Sequence, residues 1–171
     1  LKNNSLSLMD GKNVKELEKK VAKIFGKKYG LMVNSGSSAN LLALASLNLP
    51  EKSEVITPSL TFSTTISPIY QMKLIPRFID VKENFFIADT NQIEKSINKN
   101  TSAIMIPNLL GNVPDWTKIY KIAKKHNIKV IEDSADTIGY TYKRKNLGKY
   151  SDISTNSMYA SHIITGAGSG G

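Results

Sequence analysis

Residues 29–47 read YGLMVNSGSSANLLALASL: an apolar run of strand length, a turn of small polar residues, then a stretch that is apolar almost all round. Strand, compact turn and helix in that order form the unit from which helix-covered parallel sheets are built. The spacing predicts a strand over 29–33 and a buried helix over 39–47, joined by Ser35, Gly36, Ser37 and Ser38.

The same alternation extends in both directions. Upstream, Val14, Leu17, Val21, Ile24 and Phe25 recur at helical spacing, with Asn13 placed to cap the start and Gly26 to stop the end. Downstream, a strand over 54–57 closes at Pro58, a Ser/Thr-rich turn surrounds Phe62, and a helix over 64–72 precedes a third strand over 74–80. Asp89 or Thr90 caps a short helix running to Ile97, and residues 102–106 form a β-branched strand ending at Pro107. Asp115 caps a helix in which Trp116, Ile119, Ile122 and Ala123 share one face, and His126-Asn127 ends it. A strand over 129–131 meets the acidic cluster EDSAD at 132–136, and a last strand lies near 153–157. This order predicts an α/β fold, a mostly parallel sheet with helices on both faces, without internal repeats or a low-complexity linker.

Composition narrows the function. With 171 residues and 40% apolar side chains the chain suits one domain with a real core. No run of eighteen apolar residues is present and the first residues lack signal-peptide features, so a soluble, cytoplasmic protein without membrane contact is expected. The absence of cysteine excludes disulfides, thiolate metal sites and a cysteine nucleophile, and no metal site is expected. The net charge of +9 comes from lysines spread over solvated helix faces, with no nucleic-acid-binding signature beside them, so no nucleic-acid partner is expected. An anionic small substrate accounts for part of the charge.

In open α/β sheets ligands bind beyond the carboxyl ends of the strands, where this sequence puts four polar clusters. Gly36, Ser37 and Ser38 at a helix start suit a phosphate, or else form a tight turn with serine caps. Phe62 in a polar turn covers either a ligand face or a neighbouring loop, or it is a core contact. Asp133 follows an apolar strand, where a carboxylate must be paired, solvated or used as a cap, and Glu132 points to the opposite side. Asp136 caps or faces water. His162 stands before Gly166, Gly168, Gly170 and Gly171, which permit close backbone approach to a ligand or another chain, and imidazole exchanges protons near neutral pH. His126, at a lysine-rich helix end, is given no function.

Taken in order, NSGSSANLLALASL, EVITPSLTFSTTISPIYQ, IDV, KVIEDSADTIG and SDISTNSMYASHIITGAGSGG resemble the nucleotide-sugar aminotransferase family of fold type I vitamin B6 enzymes over nearly all 171 residues. The resemblance implies that residues 1–171 are the N-terminal part of the large cofactor-binding domain, without the C-terminal remainder and small domain, and that this piece is inactive alone. It implies pyridoxal or pyridoxamine 5′-phosphate held at its phosphate by Gly36, Ser37 and Ser157, stacked by Phe62 and paired at the pyridine nitrogen by Asp133. Asp136 stands where the aminotransferases commonly have a glutamine near the ring hydroxyl. His162 occupies the position of the family's Schiff-base lysine, which is similar to the branch of 3-dehydratases acting on nucleotide-linked 4-keto-6-deoxyhexoses. In that branch pyridoxamine phosphate condenses with the C4 ketone, and a base, here His162, takes a proton from the cofactor's C4′ carbon while the C3 hydroxyl leaves. The expected partners are a nucleotide sugar for surface polysaccharide or other deoxysugar synthesis, a second subunit, and glutamate or an iron–sulfur reductase to restore the cofactor. The alternatives are an aminotransferase and a non-catalytic cofactor-binding paralogue.

Overall fold

The computed structural model describes residues 11–171. Its centre is a five-stranded, all-parallel sheet in the order β2-β1-β3-β4-β7, with β1 at Glu54–Pro58, β2 at Ile75–Ile79, β3 at Thr101–Pro107, β4 at Lys129–Asp133 and β7 at Ile153–Thr155. A short antiparallel hairpin, β5 (Thr141–Tyr142) and β6 (Lys145–Asn146), lies apart from it. Lys143 and Arg144 at its turn both have positive φ, 49° and 63°, as a two-residue hairpin whose twist matches its strands requires.

Side chains on successive strand residues point to opposite faces, and β3 shows what this does to the core. Ala103 and Met105 join Ala43, Leu44 and Ile69 on one face, under α2 (Gly36–Ser46) and α3 (Ser63–Gln71). Ile104 and Ile106 join Ile93, Trp116 and Ile119 on the other, under α4 (Thr90–Ser96) and α5 (Trp116–His126). Helices cover both faces, as the alternation predicts. Asp89 rather than Thr90 caps α4, accepting from Asn91 N at 3.0 Å, and Asp115 caps α5. Asn127 ends α5 in the left-handed conformation, while Gly26, with φ of 65°, follows α1 (Lys12–Ile24) in the stop position expected of it.

Three local expectations fail. Asn13 does not cap α1, which starts at Lys12 behind Gly11 with no side-chain cap. Residues 29–33 form no strand, because no sheet edge accepts them. Val33 exchanges backbone hydrogen bonds with Gly171 (2.8 and 3.1 Å), Met32 N–H donates to Glu18, and Tyr29 and Leu31 are exposed. The helix over 39–47 begins earlier, at Gly36, and is not buried all round: Asn40, Ala43 and Leu44 face inward while Leu42 is 43% exposed.

The face under α5 carries a polar network inside the core. Glu132, fully buried, accepts from Asn108 Nδ2 (3.1 Å), Ser134 Oγ (2.6 Å) and Ser151 Oγ (3.2 Å). Burial pushes its carboxyl up, against those bonds and the charge of Lys27. Asn108 in turn accepts from Trp116 Nε1 at 2.8 Å, so one amide ties α5 to the end of β4. Among the described residues no helix is long and apolar enough to cross a membrane. Asn108→Ala leaves the Trp116 indole N–H and the Glu132 carboxyl each short of a partner, and unmatched buried groups cost about 1–3 kcal/mol apiece. Urea unfolding of the full-length protein should show a loss of about 2–4 kcal/mol; no change in the midpoint would contradict the network's role.

Candidate cofactor site at the strand ends

At the carboxyl end of the sheet Pro107, Asp133 and Thr155 are cross-strand neighbours, each the last residue of its strand. The turns beyond them surround a cavity of about 610 Å³. The seven residues to which the resemblance gives a role line it, namely Gly36, Ser37, Phe62, Asp133, Asp136, Ser157 and His162, whereas Ser38 does not. No lysine does.

Gly36 and Ser37 are the first two residues of α2, so their N–H groups have no partner within the helix and face the cavity end of its dipole. Ser35 caps the helix, its Oγ accepting from Ser38 N–H at 3.2 Å. The turn is therefore a serine cap and a small-residue helix start together. A Cβ at Gly36 would lie 2.7 Å from the Ser157 Cβ, so glycine is what lets the helix start and the residues after β7 close on each other. Phe62 is 68% exposed, which removes the core-contact reading of that ring.

Asp133 ends β4 on the α2–α3 side, opposite Glu132, and caps no helix. Its carboxylate is 7% exposed. Oδ2 accepts from Asn40 Nδ2 and Thr65 Oγ1, both at 2.8 Å, whereas Oδ1 accepts only from Ala135 N–H at 3.3 Å. Burial pushes this carboxyl up, with the three hydrogen bonds opposing and the nearby Asp136 charge adding to the rise. Among the described residues no cation pairs with it. A buried carboxylate held by neutral donors alone is costly unless a cationic ligand arrives.

His162 sits across the cavity, with its ring edge against Tyr159 (centroids 6.1 Å apart) and its Nε2 3.8 Å from Asp136 Oδ1. Asp136 Oδ2 accepts from Leu110 N–H at 3.1 Å, within the short 3-10 turn Leu109–Gly111, so it does not simply face water. Two atoms of cavity-lining residues, His162 Nδ1 and Asn156 Oδ1, are buried without a hydrogen-bond partner. Both are available to a polar ligand in the cavity, whereas a third such atom, Thr57 Oγ1, belongs to a residue outside its lining.

Sequence reasoning missed Asn40 and Thr65, which donate to Asp133, and Thr155, which donates to Asn40. Asn40 carried a signal, as the lone amide in an otherwise apolar helical stretch; Thr65 and Thr155 carried none, since their importance lies in what the fold brings against them. His126 lies 3.4 Å from Glu94 on the surface, away from the cavity.

The chain is 39% identical over 174 residues to a dTDP-4-dehydro-2,6-dideoxy-D-glucose 3-dehydratase of Saccharopolyspora spinosa, covering 97% of this chain and 37% of that protein. A histidine-to-asparagine mutant of GDP-4-keto-6-deoxymannose 3-dehydratase with bound GDP-perosamine superposes with a TM-score of 0.88 at 35% identity, over 94% of this chain and 43% of the other. The Escherichia coli GDP-4-keto-6-deoxy-D-mannose 3-dehydratase with bound hydrated PLP gives a TM-score of 0.85 at 34% identity, again over 94% and 43%. The chain thus spans less than half the length of these relatives. Residues 1–171 match the model of the DegT/DnrJ/EryC1/StrS aminotransferase family, and the chain belongs to that family.

Proposed function

We propose that the protein carrying this chain removes the C3 hydroxyl of a nucleotide-linked 4-keto-6-deoxyhexose with pyridoxamine phosphate as cofactor, residues 1–171 being the N-terminal part of its cofactor-binding domain. The observation that carries this reading is the cavity's inventory: a buried, uncompensated carboxylate and an imidazole, with no lysine among the lining residues. A transaminase that tethers its cofactor through a lysine on this wall is disfavoured for the same reason.

The residues present fit the cofactor. Gly36 and Ser37 N–H groups at the start of α2, with the neighbouring Ser157 hydroxyl, suit its phosphate. Phe62, exposed at the cavity rim, offers a ring face to the pyridine. Asp133 Oδ1, with one long hydrogen bond, offers an acceptor for a protonated ring nitrogen, and that cation would relieve the burial of the charge. The cofactor supplies an amine to condense with the C4 ketone and a ring to draw off electrons. His162 would take the proton from the exocyclic C4′ carbon as the C3 hydroxyl departs as water, because an imidazole exchanges protons near neutral pH and cannot form a covalent tether there. Asp136, on its other side, keeps a negative charge near the ring that becomes positive when it accepts that proton.

The full-length protein, given pyridoxamine phosphate and a panel of nucleotide 4-keto-6-deoxyhexoses, should release the C3 oxygen as followed by mass. His162→Asn should slow that release by about 10²–10⁴-fold, the usual contribution of a positioned acid–base group. Unchanged release in His162→Asn would overturn the base assignment, and failure to bind either cofactor form would favour a non-catalytic paralogue.

Asp133 also makes a thermodynamic prediction. A carboxyl whose folded-state pKa is raised binds its proton more tightly folded than unfolded, so its contribution to stability falls as pH rises from the ordinary carboxylate range through the raised value. Asp133→Asn keeps an acceptor for Asn40 and Thr65 but carries no charge. The cofactor-free full-length variant should melt at a higher temperature than the parent at neutral pH, the two converging below about pH 4. A variant that melts lower at neutral pH would show that the carboxylate is compensated in the resting protein.

A further inference from the structure

Asn40 is 3% exposed and every one of its side-chain hydrogen-bonding groups is used. Nδ2 donates one hydrogen to Asp133 Oδ2 at 2.8 Å and the other to the Thr64 carbonyl at 3.2 Å. The Thr64 carbonyl is free to accept because the residue four positions on in α3 is Pro68, which has no N–H. Oδ1 accepts from Thr155 Oγ1 at 2.6 Å, much shorter than that hydroxyl's 3.5 Å approach to the Glu132 carbonyl. An amide can present either its oxygen or its nitrogen to a neighbour, and an oxygen turned to a carboxylate repels it. Here a hydroxyl that can donate stands on the oxygen side and a vacant carbonyl on the nitrogen side.

We infer that Asn40 is a positioning residue for Asp133, and that Thr155, which does not touch the carboxylate, fixes the end of the Asn40 amide that faces it. The clamp saturates Oδ2, since Thr65, itself receiving a hydrogen bond from Thr61 Oγ1 at 3.1 Å, supplies the second donor. Oδ1 is thereby left as the atom turned to a ligand. The inference rests on the proposed use of Asp133 against the cofactor's ring nitrogen. Burial pushes the Asp133 carboxyl up, and the bond from Asn40 is the strongest influence holding it down, consistent with a donor placed to keep the carboxylate ionised. Among the described residues the carboxyl and imidazole groups that share the cavity with Asp133 are those of Asp136, from the loop after β4, and His162.

The test is a carbon-13 carboxyl titration of the cofactor-free full-length protein, with the Asp133 signal assigned by its loss in Asp133→Asn. Asn40→Leu and Thr155→Val should both move the Asp133 titration to higher pH, and Thr155→Ser, which restores the hydroxyl, should return it to the parent value. Binding of pyridoxamine phosphate should weaken about tenfold in Asn40→Leu, as expected for loss of a hydrogen bond to a charged group. A Thr155→Val titration that overlays the parent would overturn the role given to Thr155, and an unmoved Asn40→Leu titration would reduce Asn40 to a packing residue. Should Asn40→Leu not fold, Thr155→Val keeps the amide and carries the same decision. Because the titration is read without cofactor or substrate, its outcome stands apart from whether the protein dehydrates sugars.

Discussion

Two adjacent carboxylates at the end of β4 set the character of the whole chain. Pleating sends Glu132 to one side of the sheet and Asp133 to the other, and both are buried. Glu132 meets an amide, two hydroxyls and the field of Lys27, and the group it organises locks α5 to the sheet through Asn108 and Trp116. Asp133 meets only neutral donors and opens onto a cavity. Burial pushes both carboxyls up, but Glu132 has the field of a nearby cation against it and Asp133 has none. In the proposed function a ligand's cation meets the second.

That asymmetry explains why the site lies where it does. In a parallel sheet the last residues of neighbouring strands come level, and here they are Pro107, Asp133 and Thr155. The helix starting at Gly36 arrives from one side and the loop carrying His162 from the other, so a dipole end, a buried negative charge and an imidazole border one space. Each is an ordinary feature separately. In the proposed function they together offer the charge that a pyridinium ring needs and a proton carrier, and among the described residues no primary amine lines the space.

Much of this was legible in the sequence because its cause is local. The apolar, β-branched run of β3, the helical spacing of Trp116, Ile119, Ile122 and Ala123, and caps at Asp89 or Thr90 and at Asp115 declare themselves within a few residues. The opposite facing of Glu132 and Asp133 follows from the pleat alone. Residues 29–33 misled because an apolar run of strand length becomes a strand only where an edge accepts it, and here the pairing partner is Gly171, far along the chain. The clamp on Asp133 was out of reach for the same reason. Asn40 and Thr65 lie 93 and 68 residues from it in sequence, and nothing near Thr155 marks it as the residue that orients an amide 115 positions away.

The proposed function requires a cavity that binds and electronically primes vitamin B6 without a covalent tether. The direct measurement is to load the full-length protein with pyridoxal phosphate, reduce with borohydride, and map the peptides by mass. With no tether the cofactor should leave the protein as its reduced alcohol, pyridoxine phosphate, with no phosphopyridoxyl group fixed to a lysine of the cavity. A reduced, stable adduct on a lysine would show that a tethering amine reaches the ring after all, and would contradict the proposed function.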